Sequence, residues 1–368
     1  MKSSLTKIIA GLSVSLFAVS TAFGAANAGD NKYDQGHGVE ANQMGSGYCA
    51  PARIDVSGAY DFYIDADFLW WQVGSDDQAY GLAADAAYTA VPSNMTVLMP
   101  SFKWRPGFKV SLGTNFSHDD WTLHAEYTWI RGKAEGSSAA PSGGTIVPSL
   151  FATLDLPAIG AAHASTRTSY QNNVVDLVLG RPFYLGSKLV VKPFFGLKGF
   201  WNKLANHKEY TTVSYVYYTT DDTNVLYNTG TSDWMREDLT LKIWGVGPRA
   251  GTDAHWILGS GFRIEGDIAA NLLYNRLSAS GAETSHDAIA GSEVTRVDGH
   301  EPKLDSMRPV LESAIGLGWG TYFSHSNWHF DVSAMYEGQF WYHFVRVASE
   351  VGGDMWSHGA TVKLRLDF

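Results

Sequence analysis

The sequence predicts an all-β fold: a transmembrane, antiparallel, up-and-down β-barrel of ten strands, with twelve as the alternative count. Three observations carry this. Segment after segment alternates with period two, one face apolar and aromatic, the other polar and charged. Short turns and long connections follow one another in regular order. The last segment, Trp356–Phe368, sets Ala360, Val362, Leu364, Leu366 and Phe368 against Thr361, Lys363, Arg365 and Asp367, and ends on an aromatic. In a membrane barrel the apolar face meets lipid and the charged face a wet lumen.

The first barrel strand runs through Tyr60–Trp70. Tyr60, Phe62, Ile64, Ala66, Phe68 and Trp70 share one face, opposed by Asp61, Tyr63, Asp65 and Asp67. A strand over Trp104–Phe116 follows, with Phe108, Val110 and Leu112 outward and Lys109, Ser111 and Asn115 inward. The turn Ser117-His118-Asp119 leads into Trp121, Leu123, Ala125, Tyr127 and Trp129, opposed by Thr122, His124 and Glu126. The fourth strand, 168–180, points Asn172 and Asp176 inward. The fifth points Lys188, Lys192 and Lys198 inward, and Pro193 predicts a weak or bulged site there. The sixth covers 236–247 with Lys242 inward. Gly-Pro-Arg-Ala-Gly-Thr-Asp then reads as a connection into the seventh, 255–274, with Arg263, Glu265 and Asp267 inward. Arg308 and Glu312 mark the inner face of the eighth. His329, Asp331 and Glu337 mark that of the ninth, and Lys363 and Arg365 that of the tenth.

Connections over 74–103, 132–166, 204–235 and 275–304 are long, and the turns between them short. Short turns belong on the periplasmic side and long loops outside. An even count returns both ends to the periplasm and makes the last strand the seam, pairing with strands nine and one. Val213–Tyr218 and Thr96–Phe102 alternate enough to be two further strands, or hairpins projecting from loops.

Composition agrees. Aromatics reach 13% and charged residues only 17%, with thirteen Trp and eighteen Tyr, side chains suited to a membrane–water boundary. A mean hydropathy of −0.13 excludes a bundle of membrane helices. Residues 1–28 read as a signal peptide: Lys2 and Lys7, an apolar stretch to Phe23, then Ala26-Asn27-Ala28, with the mature chain starting at Gly29. Residues 29–57 read as a periplasmic N-terminal segment and 58–368 as the barrel. Losing two lysines and no acids takes the net charge from −10 to −12. That argues against nucleic acid and against holding anionic lipid by a basic patch. Cys49 is the sole cysteine, so no internal disulfide forms. It is either an inert thiol or a link in a homo-oligomer.

The run Phe102-Lys103-Trp104-Arg105-Pro106-Gly107-Phe108-Lys109-Val110-Ser111-Leu112-Gly113, the polar turn with Asp120 before Trp121, and Ala125-Glu126-Tyr127-Thr128 resemble the pore-forming major outer-membrane protein family of Legionella type, found also in Chlamydia-like bacteria. Trp244-Gly245-Val246-Gly247-Pro248-Arg249-Ala250-Gly251 resembles the same family. The resemblance runs from about residue 55 to the C-terminus. It implies a pore-forming barrel of a Gram-negative-type outer membrane, with no particular solute and no catalytic residues.

Candidate pore-lining residues are Asp61, Asp65, Asp67, Lys109, Glu126, Asp176, Lys188, Lys192, Lys198, Arg263, Glu265, Asp267, Glu312, Lys363 and Arg365. Strand one is acidic and strand five basic, which would bias solutes in a pore. The competing reading pairs these charges across a narrow lumen and blocks it, as in small barrels. The expected partners are outer-membrane lipid, small hydrophilic solutes or ions, and the barrel-assembly machinery, with Phe368 as its signal. No cofactor is expected. Twelve histidines lack metal-ligand spacing and read as solvated. A protease would need carboxylates and a histidine at the outer rim, where Asp76-Asp77, Asp221-Asp222 and His286-Asp287 stand. A structural or adhesive surface barrel is the main alternative to a pore. A soluble β-sandwich would have to bury aromatic faces that lie opposite charged ones.

Overall fold

The computed structural model of the chain describes residues 54, 56, 61–76, 78–87, 92–116, 120–149, 158–221, 224–287, 292–300, 303–346 and 352–368. The expected signal peptide, 1–28, the expected periplasmic segment apart from residues 54 and 56, and Cys49 lie outside the described residues.

Ten long strands form the barrel: β1 (Phe62–Ser75), β2 (Trp104–Asn115), β3 (Thr122–Ala139), β4 (Ala158–Gly180), β5 (Leu189–Asp221), β6 (Asn224–Gly259), β7 (Phe262–Asp287), β8 (Leu304–Phe323), β9 (Trp328–Arg346) and β10 (Gly352–Asp367). Each pairs antiparallel with its chain neighbours. β10 also pairs with β1, through Ile64↔Leu366 and Phe68↔Val362, so the sheet has no free edge. The seam ends on a reciprocal backbone pair: Phe62 N–H donates to Phe368 O at 3.1 Å, and Phe368 N–H to Phe62 O at 2.9 Å. The ten strands and the expected partners of the last one are all present.

Alternation explains the strands. Along β1, Phe62, Ile64, Phe68 and Trp70 are exposed outside while Tyr63, Asp65, Asp67 and Leu69 are buried inside. Ile64, Phe68, Leu112, Leu177, Phe195, Leu197, Ile315, Leu317 and Leu364 stand exposed on the outer wall. A contiguous apolar belt of that kind would be an aggregation surface in water and is a lipid contact in a bilayer.

Three expectations are corrected. The fifth long strand has no bulge at Pro193, because pairing runs unbroken through Pro193↔Thr252. Pro193 O accepts from Arg181 N–H, so the missing donor points to the β4–β5 turn rather than into the β5–β6 ladder. The segment Gly247–Asp253 is not a connection but the middle of β6. The turn lies at Gly259 (φ 120°), Ser260 (φ 53°) and Gly261 (φ 82°), where the backbone enters the left-handed region that glycine tolerates. Finally, much of the long connections is itself strand. β5 and β6 stay paired from Leu189↔Trp256 to Asp221↔Asn224, so Val213–Tyr218 lies in a projecting hairpin and adds no barrel stave.

The short strands Gly81–Ala84, Met95–Leu98 and Thr145–Pro148 form a small sheet attached to β4 through Ile146↔Ala161. Between the first two, the Asp85 carboxylate accepts from the backbone N–H of Asn94 at 3.0 Å and of Ser93 at 2.8 Å. These bonds hold its pKa below the usual carboxylate value.

Candidate functional site: a charged lumen under an apolar septum

The inner face changes character along every strand. On β1 the inward residues run Tyr63, Asp65, Asp67 and then Leu69, Trp71, Val73. On β5 they run Lys192, Phe194, Lys198 and then Phe200. The half near the short turns is therefore charged, and the half toward the long connections begins with apolar side chains.

The charged half encloses a cavity of about 620 Å³ that reaches the short-turn rim at Gly259–Phe262 and Thr321–Tyr322. Ten carboxylates line it (Asp65, Asp67, Glu126, Asp176, Asp253, Glu265, Asp267, Glu312, Asp331 and Glu337) against six Lys or Arg: Lys109, Lys192, Arg249, Arg263, Lys363 and Arg365. Most are bridged. Lys109 Nζ lies 2.7 Å from Glu337 and 3.6 Å from Glu126. Lys363 meets Asp65 at 3.0 Å across the seam, and Lys192 meets Asp253 at 2.8 Å. Arg263 grips Asp331 with two bonds of 2.5 and 2.7 Å and also contacts Glu265. Asp67 and Asp267 have no ion pair within 4 Å among the described residues, and Asp67 Oδ1, buried beside the cavity, has no hydrogen-bond partner there. The chamber is thus acidic in excess, which favours cations.

Lys198 does not line free space. It is 1% exposed and lies between Asp176 at 2.8 Å and Glu312 at 3.0 Å, with Arg249 also on Glu312 at 2.5 Å. Lys188 and Lys242 correct the sequence reading. Lys188 is exposed because β5 starts one residue later, and Lys242 points outward between inward Leu241 and Ile243. Asp61 sits at the rim, its Oδ1 accepting from Asn115 Nδ2 at 2.9 Å. Arg249, Asp253 and His255 were missed as inward groups because their segment reads as a turn. Their inward phase follows once β6 is continued to Gly259. Nor are all the histidines solvated: His329 is buried, with Nδ1 2.9 Å from Asp367, and His124 meets the Tyr63 hydroxyl at 3.2 Å.

Above the chamber the lumen is shut. Leu69, Trp71, Ile130, Val174, Phe200, Leu241, Ile243, Leu273, Val310, Trp341, Phe344 and Met355 form one buried apolar cluster, drawn from every barrel strand except β2. Phe200 on β5 and Trp341 on β9 come from nearly opposite walls, with ring centroids 5.1 Å apart. Phe344 packs on both, at 5.5 and 5.1 Å. Lys109 marks the boundary, its ammonium 5.4 Å from the Trp71 ring centroid. Farther out, Tyr80 and Ile146 of the connections pack on Tyr210, Val213 and Met235. Tyr210 also donates to Tyr80 O at 2.6 Å, and Lys208 pairs with Glu237 at 2.9 Å. The sequence leaves an open lumen and one blocked by paired charges side by side; here apolar rings fill the bore. Ten strands leave a bore that the rings of two aromatic residues can span.

Of the rim groups considered for a protease, the side chains of Asp221 and Asp287 fall outside those described. His286 Nδ1 lies 3.1 Å from Asp233, its neighbour across the β6–β7 ladder. Asp77 and Asp222 fall outside the described residues. Among the described residues, no three His, Asp, Glu or Cys side chains are arranged to hold a metal ion.

A model of the family described as Legionella pneumophila major outer membrane protein precursor matches residues 56–357. No curated protein matches the chain. Among solved structures, the outer membrane protease OmpT of Escherichia coli aligns at 10% identity over 87% of this chain and 99% of that one, with a TM-score of 0.39. A Pseudomonas aeruginosa FadL homologue aligns at 8% identity over 87% and 92%, with a TM-score of 0.26. Ail, the attachment invasion locus protein of Yersinia pestis, aligns at 8% over 83% and 98%, with a TM-score of 0.20.

Proposed function

We propose that this chain, which belongs to the Legionella pneumophila major outer membrane protein family, is a gated outer-membrane channel favouring small hydrophilic cations. The carrying observation is the chamber itself: an acid-rich half-channel lined by charged and polar groups that ends at a layer of apolar side chains rather than at backbone. Hydrophobic constrictions gate by excluding water, and rings of acidic side chains select cations. Diffusion of this kind needs neither cofactor nor catalytic residue. The second reading is a structural surface barrel that never conducts. The septum and the packing of Tyr80 and Ile146 beyond it favour that reading.

Selectivity is the test. In planar bilayers under a KCl gradient, the unmodified protein is expected to show brief discrete openings that prefer potassium. Asp67→Asn combined with Asp267→Asn is expected to move the reversal potential toward zero at similar step size. Steps with unchanged selectivity would remove the role given to these carboxylates. Silence from folded protein, with and without an opened septum, would leave the structural barrel.

Assembly gives a further expected outcome. Phe368 supplies the last backbone pair of the seam and packs against Trp328, with centroids 5.7 Å apart. It is also proposed as the residue that the barrel-assembly machinery reads. Deleting Phe368 should cut the folded, heat-modifiable fraction in the outer membrane while leaving the conductance of surviving barrels unchanged. Normal assembly of the deleted chain would end that role.

A further inference from the structure

We propose that the outer wall of β3–β6 carries a binding site for a phosphate-bearing glycolipid headgroup of the outer leaflet. The site is the row where the apolar belt stops. Outside Trp129, Trp201 and Trp244, the first polar outward residues on β3, β5 and β6 are Arg131, Lys203 and Lys242, all exposed. They share one register line, Arg131↔Gln171↔Lys203↔Lys242, so a single row across four adjacent strands presents three cations.

Their lack of counter-charge is the second observation. Lys203 and Lys242 stand directly opposite each other, an arrangement that like charges make unfavourable. Among the described residues, none of the three cations has a carboxylate within ion-pair distance. Farther out on β4, β5 and β6 the cations are paired: Arg167 with Glu135 at 3.0 Å, Arg236 with Glu209 at 3.1 Å and His207 with Asp238 at 2.7 Å. On β7, Arg276 is matched by Asp305 at 2.7 Å. The acidic chain therefore has carboxylates to spare, yet leaves without them the row where the apolar belt stops, and Lys133 just beyond it on β3. Arg131 is also set over the Trp129 ring, 5.2 Å from its centroid, which aims the guanidinium along the wall at the belt's edge. A phosphate oxygen reaching this row would accept from guanidinium and ammonium groups while its acyl chains lie on the belt below. The net charge of −10 gives no hint of this, because it averages a wet acidic lumen with a basic strip outside.

The test uses full-length folded protein in detergent, titrated with bisphosphorylated lipid A and followed by native mass spectrometry. Arg131→Gln, Lys203→Gln and Lys242→Gln together are expected to weaken retention about 100-fold, roughly fivefold for each surface cation removed. Lys188→Gln, at the opposite end, should change nothing. Heat-modifiable mobility of the triple variant confirms that the wall is intact. Dephosphorylated lipid A should bind the unmodified protein as weakly as the triple variant binds the phosphorylated form. Inorganic phosphate at equal concentration should fail to displace the lipid. Equal retention of both lipids, unchanged retention by the folded triple variant, or displacement by inorganic phosphate would each overturn the proposal.

Discussion

Trp341→Ala combined with Phe200→Ala is expected to turn a barrel with brief openings into one that conducts steadily. The two rings meet across the bore at 5.1 Å, and each is at most 2% exposed. Removing them leaves a gap between the charged chamber below and the polar groups above, Asn202, Asn206 and Asn275 among them. Water entering that gap joins the two. Each substitution should also cost about 3–5 kcal/mol, the usual range for deleting a buried aromatic, read as a lower urea midpoint for loss of heat-modifiable mobility. Trp341→Phe separates the two effects. It keeps a ring in the septum and removes an indole N–H that has no hydrogen-bond partner among the described residues. That variant should stay shut and lose little stability. Steady conductance from Trp341→Phe, or none from the double alanine variant, would show that these rings are not the barrier.

The second large effect concerns Lys198. Its ammonium sits between Asp176 and Glu312 with almost no access to water. Lys198→Met leaves two buried carboxylates with Arg249 as the one cation nearby among the described residues, at 2.5 Å from Glu312 and 3.8 Å from Asp176, and the Asn271 amide on Glu312 at 3.1 Å. Breaking a buried pair from one side costs about 3–5 kcal/mol, and here one guanidinium is left to compensate two desolvated carboxylates. The companion change Asp176→Leu should recover a large part of that loss, since an apolar pair replaces an ionic one. A midpoint for Lys198→Met equal to that of the unmodified barrel would mean that water already solvates the cluster.

How much of this was legible in the sequence depends on the scale of the signal. Period two is local, so the ten strands could be placed and the outward face of all but the sixth read, and the seam followed from counting. The septum was also written in the inner phase. After Asp65 and Asp67 the same face of β1 continues with Leu69, Trp71 and Val73, so the inner face turns from charged to apolar partway along the strand. Such a switch marks the point where a lumen stops being wet. What misled was Gly-Pro-Arg-Ala-Gly. Glycine and proline usually punctuate chains, but Gly247 and Gly251 serve close strand approach here. A Cβ on Gly247 would lie 2.0 Å from Leu272 O, and one on Gly251 2.3 Å from Ile268 O. Arg249 between them reaches the lumen and joins the Lys198 cluster. Pairings between distant strands, such as Lys109 with Glu337 and Phe200 with Trp341, depend on the curvature of the closed sheet and have no local signature.

The most direct test of a one-ended chamber under a side-chain septum is thiol accessibility in the outer membrane, in a Cys49→Ser background. A cysteine at Asp267, which borders the cavity, should react with a charged methanethiosulfonate reagent supplied from the periplasmic side and not from outside. A cysteine at Leu273, inside the septum and 0% exposed, should react from neither side. Adding Trp341→Ala and Phe200→Ala should make Asp267→Cys reactive from outside as well. Reaction of Asp267→Cys from outside in the otherwise unmodified barrel would contradict the closed septum.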